Sequence, residues 1–94
     1  MRKSAKWMTI WDERILEIAS AEDSVSPKEL EDSGYFDVGR AQISRRCRIL
    51  ADHEMLQALG NGVYIITDRG KNYLDGEYDP RDDSNSENTN ELAA

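Results

Sequence analysis

Arg40, Arg45, Arg46 and Arg48 fall within nine residues, with no acid among them. Each guanidinium offers a planar fork of N–H donors that fits phosphate oxygens or the O6 and N7 of guanine. Gln42 adds an amide suited to adenine N6 and N7, and Ser44 a hydroxyl suited to phosphate. Residues 38–53 read as one helix. At helical spacing Ile43, Cys47 and Leu50 share a face, and Ala41, Arg45, Arg48 and Asp52 lie opposite. The expected chemistry is nucleic-acid recognition. Arg40, Ala41, Gln42 and Arg45 would meet bases, and Ser44, Arg46 and Arg48 would meet the sugar-phosphate backbone. The plainer alternative is a solvated helix face in an ordinary soluble protein.

The helix before this one carries a strong start signal. Ser26 is placed as the cap, Pro27 as the first helical residue and Glu29 as the closing member of a capping box. Ser26 and Lys28 stand where a backbone phosphate could be held. Gly34 ends this helix, and Tyr35 and Phe36 form an aromatic turn. Two helices joined by a tight turn, the second with an exposed polar face, predict a helix-turn-helix. An earlier helix starts at the capping Thr9 and places Trp11, Ile15, Ile18 and Ala19 on one face.

A hairpin follows the basic helix. Residues 57–59 and 63–66 read as strands around Asn61-Gly62, a dipeptide that suits a type I′ turn. The tip Gly60-Asn61-Gly62 is a wing without lysine or arginine, so a plain hairpin completing the fold is the simpler reading of it. Thr67 caps a last helix over residues 68–74, and Val25 reads as a short strand. The fold class is mainly α (α+β): a winged helix-turn-helix, with a three-helix core, a two-stranded wing and a C-terminal helix.

The chain has 94 residues and a formal charge of −7, with 19 acids against 12 bases. Residues 75–94 hold seven of those acids and one base, so residues 1–74 carry only −1. Residues 79–94 are therefore expected to be an acidic, unfolded tail, and residues 1–8 a basic arm with Arg2, Lys3 and Lys6. The folded domain is placed at residues 9–78. The single Cys47 permits no intrachain disulfide and suits a reducing cytoplasm. With only one His53 beside it, the chain offers no zinc site. No cofactor, small-molecule ligand or catalytic group is evident, no apolar run is long enough to span a bilayer, and enzyme activity is not expected. Trp7, Met8 and Tyr73 are the expected contacts of a homodimer, because aromatic and methionine side chains favour such surfaces.

At this point the chain resembles the small winged-helix proteins of haloarchaea related to the halophage phi-H repressor. The matching pieces are Trp7-Met8, Trp11-Asp12 with Ile15-Leu16-Glu17, Ile43-Ser44-Arg45-Arg46 and Leu50-Ala51-Asp52-His53. They continue through Leu59-Gly60-Asn61-Gly62-Val63-Tyr64, Thr67-Asp68-Arg69-Gly70 and Tyr73-Leu74-Asp75-Gly76-Glu77-Tyr78. The resemblance spans about residues 5–80 and implies a DNA-binding transcription regulator, often dimeric, in an archaeal cytoplasm. The expected partner is double-stranded DNA, and the expected mode is repression by occupying promoter DNA. Glu54 departs from the pattern, since relatives usually carry glycine there. Either the recognition helix runs on through Met55, or the turn is strained. The competing function class is a protein-protein interaction module on the same scaffold. A third is a DNA-mimicking antirepressor, against which the arginine cluster speaks.

Overall fold

The computed structural model describes residues 5–80. Thr9 caps the first helix, α1 (Ile10–Glu22), and its N–H donates to Asp12 Oδ2 at 2.8 Å. Ser26 caps α2 (Pro27–Asp32) by accepting from the Glu29 N–H at 3.2 Å. The chain then turns through Tyr35 and Phe36 into α3 (Arg40–Asp52). Two strands, β1 (Leu56–Gly60) and β2 (Val63–Ile66), pair antiparallel, and α4 (Asp68–Leu74) closes the fold. Val25 forms an isolated bridge to Tyr64, so a third short segment flanks β2. The winged helix-turn-helix expected from the sequence is the fold observed. No helix among the described residues is long and apolar enough to cross a membrane.

The core is one cluster gathered from every element. Ile15, Leu16 and Ala19 of α1 meet Leu30 of α2 and Ile43, Cys47 and Leu50 of α3. Met55, Tyr64 and Tyr73 seal the far side. Burying this apolar surface holds the basic helix by its inner face and leaves its outer face to solvent.

α3 starts two residues later than 38, the residue at which the sequence places its first turn. Gly39 is the N-cap in extended conformation, and Val38 packs against the core instead of entering the helix. The other end resolves the question raised by Glu54. The helix stops at Asp52, and Glu54 takes φ +64, the left-handed region that favours glycine. Thr67 fastens this turn, its hydroxyl donating to the Glu54 carbonyl at 2.6 Å. Glu54→Gly should therefore stabilise the protein by up to about 1 kcal/mol. The lost ion pair to Arg69 is an exposed one and offsets little of this. Urea denaturation of the two proteins checks it, and a lower midpoint for Glu54→Gly contradicts it.

Candidate nucleic-acid interface

The rotation of α3 separates two sets of side chains. Ile43, Cys47 and Leu50 are fully buried, while Ala41, Gln42, Arg45 and Arg48 are exposed. Arg45 forms no ion pair among the described residues, and Arg48 Nη1 donates only to Ser44 Oγ, at 3.3 Å. These two cations stand one turn apart over a groove shared with Asp52, Ala58 and Tyr64.

Beside them lies a cleft of about 700 Å³ between the start of α2, the start of α3 and the wing tip. Ser26, Lys28, Arg40, Ala41, Ser44, Asn61 and Gly62 all line it. These seven were singled out from sequence as separate contacts, and the fold brings them to one surface. Lys28 pairs with Asp32 at 3.4 Å, an exposed and easily exchanged partner. Arg40 is held by Glu31 of α2 through its Nε at 3.1 Å. Asn61 and Gly62 have φ +57 and +76, as a type I′ turn requires. A register irregularity between Ala58 and Gly60 leaves Leu59 outside the strand pairing and 55 % exposed at the tip.

Arg46 does not join this surface. It was expected to touch phosphate, but its side chain is only 13 % exposed and faces α1. Nη2 and Nε donate to the two oxygens of Asp12 at 2.7 and 2.8 Å, and Nη2 also donates to the Trp7 carbonyl at 2.8 Å. The bond to Asp12 holds the guanidinium charged, its pKa raised above the ordinary value against the opposing effect of burial. The physical reason is Asp12. It is fully buried, and a buried carboxylate needs a cation that the sequence did not visibly assign.

Tyr73 also lies away from the surface. It was placed at a dimer interface, yet it is fully buried and its hydroxyl donates to Glu13 Oε2 at 2.8 Å. Trp7 stacks on His53 with ring centroids 3.8 Å apart and planes within 5°. Met8 packs against the core cluster. Trp7 and Met8 thus have partners within their own chain. Lys6 is exposed. Arg2, Lys3 and residues 81–94 of the acidic tail lie outside the described residues.

Cys47 carries no surface chemistry. Burial, helped by the negative charge of Asp12, pushes its thiol up to about 12, so it stays protonated at neutral pH. Burial likewise raises the Tyr64 phenol. Among the described residues no group of three or more potential ligands could hold a metal ion.

Two partners were missed in the sequence, Glu31 and Asp12. Glu31 lies nine residues from Arg40, on a different helix, where local pairing rules do not reach. Asp12 both caps α1 and neutralises Arg46, a partner thirty-four residues away.

The winged helix-turn-helix phage repressor family model matches residues 1–86. The crystal structure of the PhiH1 repressor-like protein from Haloarcula marismortui is similar to this chain, with a TM-score of 0.83 at 56 % sequence identity. The match covers 85 % of this chain and 91 % of that one. No curated protein matches the sequence. With its arginine-bearing helix outward, its wing beside the cleft and a family match over nearly its full length, the chain belongs to the winged helix-turn-helix phage repressor family.

Proposed function

We propose that this protein is a sequence-specific DNA-binding transcription repressor that inserts α3 into the major groove. One observation carries the reading. The exposed face of α3, the start of α2 and the wing tip share one cleft, and Arg45, with no ion pair among the described residues, projects beside it. A major groove about 12 Å wide admits a helix, and α3 enters it by its N-terminal half. Arg40, Ala41, Gln42 and Arg45 then meet base edges. Ser26, Lys28, Ser44 and Arg48 meet the backbone, while Gly60, Asn61 and Gly62 pass along it. Arg46 has no part in this contact. No residue serves as a catalyst, and occupancy of promoter DNA is the regulatory act. A homodimer fits two half-sites about one helical turn apart, and its subunit contact excludes Tyr73.

The charge balance of −7 fits a medium of high salt. At about 1 M salt the Debye length is roughly 3 Å, so distant acids barely repel DNA while close arginine contacts persist. Counterion release contributes less there, and base contacts must contribute more. The test begins with duplexes selected from random DNA near molar potassium salt. On the selected site Arg45→Ala should lose about 1–3 kcal/mol of binding free energy in a gel shift. Equal binding by parent and variant contradicts the assignment.

A further inference from the structure

α3 begins without a side-chain cap of its own, because its N-cap is Gly39. The acceptor comes from α2. Glu31 Oε2 accepts the Arg40 backbone N–H at 3.0 Å, and Oε1 accepts the Arg40 Nε–H at 3.1 Å. One carboxylate thus grips both the root and the inner edge of the same arginine. Among the described residues, the two terminal nitrogens of Arg40 make no hydrogen bond, and the guanidinium's ion pair with Glu31 runs through Nε. The side chain is 54 % exposed and lines the cleft with Ser26, Lys28 and Ser44.

An ion pair this exposed contributes little to folding. Its consequence is conformational. A free arginine samples many rotamers and must give them up on binding. Clamped at Nε and at its own backbone N–H, Arg40 keeps its terminal nitrogens aimed one way. That end-on fork matches the O6 and N7 acceptors of guanine.

Building on the DNA-binding reading above, we infer that Glu31 is a specificity-determining positioning residue. It fixes the Arg40 guanidinium in the cleft so that the two terminal nitrogens read one guanine, and its own carboxylate touches no DNA. The bond to Nε leaves free the two donors that a base contact uses. An acid so close to DNA would otherwise only weaken binding.

The experiment is selection from random duplex DNA with the parent, Arg40→Ala, Glu31→Ala, Glu31→Gln and the double variant Glu31→Ala/Arg40→Ala. Arg40→Ala should lower the preference for guanine at one base pair by about tenfold or more. Glu31→Ala should lower it at that same base pair by a smaller factor and leave the other positions alone. In the Arg40→Ala background the effect of Glu31→Ala should vanish, which marks it as acting through Arg40. Glu31→Gln keeps an oxygen for the α3 N-terminus but loses the charge on the guanidinium, and should fall between. It also serves if the alanine variant does not fold. An unchanged profile with only a lower melting temperature would make Glu31 a helix cap and overturn the inference. So would a uniform loss at every position, or a further loss in the double variant. If the parent enriches no sequence, the DNA-binding reading fails and this inference with it. If the parent does and Glu31→Ala matches it, only this inference fails.

Discussion

Arg46→Ala should cost about 3–5 kcal/mol of folding stability, the usual result of stranding one partner of a buried ion pair. Asp12 has no exposed surface, and Arg46 supplies two of its short hydrogen bonds. The same guanidinium ties down the Trp7 carbonyl at 2.8 Å, so the segment leading into α1 loosens as well. Small domains have only about 5–15 kcal/mol in total, so the variant should lose a large share of its stability. Arg46→Lys keeps the charge but not the planar fork, and should recover part of the loss. The neighbouring Arg45→Ala should change stability by no more than about 0.5 kcal/mol, as an exposed substitution does. Urea denaturation followed by circular dichroism checks all three. A stable Arg46→Ala protein that had lost only DNA affinity would return Arg46 to the interface.

Gly70→Ala should be nearly as damaging, at about 3 kcal/mol or more. Gly70 is buried in α4, and a Cβ built there would lie 2.5 Å from the Met55 carbonyl oxygen and 2.7 Å from Ile66 Cγ1. The carbonyl cannot retreat cheaply, because it accepts the Thr67 N–H at 3.1 Å and Met55 is itself fully buried. Alanine's better helix propensity offers about 1 kcal/mol in return, which the clash outweighs. Thermal denaturation decides it, and a melting temperature equal to the parent's contradicts the packing described here.

The contrast between Arg45 and Arg46 shows what the sequence could carry. Spacing alone placed Ile43, Cys47 and Leu50 inward and Arg45 and Arg48 outward, because a helix turns by a fixed angle. Cap and turn chemistry placed Ser26, Pro27, Thr67 and Asn61-Gly62 for the same local reason. Arg46 sits on the shoulder between the faces. Its direction is decided by Asp12, thirty-four residues away in the chain, which no local rule reports. Tyr73 fell to the same blindness, since its hydroxyl partner Glu13 is sixty residues distant. Met55 follows the end of α3 and shows no helical period, yet it is fully buried beneath the turn that Glu54 makes. Glu54 itself stood out only through the family resemblance, whose members usually carry glycine at this turn, the residue a left-handed conformation favours. The convergence of Ser26, Arg40 and Asn61 on one cleft needed the tertiary fold.

The most direct test replaces guanine by 7-deazaguanine, one base at a time, in a duplex selected by the parent protein. The substitution removes the N7 acceptor from the major groove and leaves base pairing intact. At least one such replacement should weaken the parent about as much as Arg45→Ala does. Binding by Arg45→Ala should be indifferent to that replacement. Tight, sequence-specific binding by the parent that no N7 removal disturbs would show that α3 does not read the major groove through its arginines.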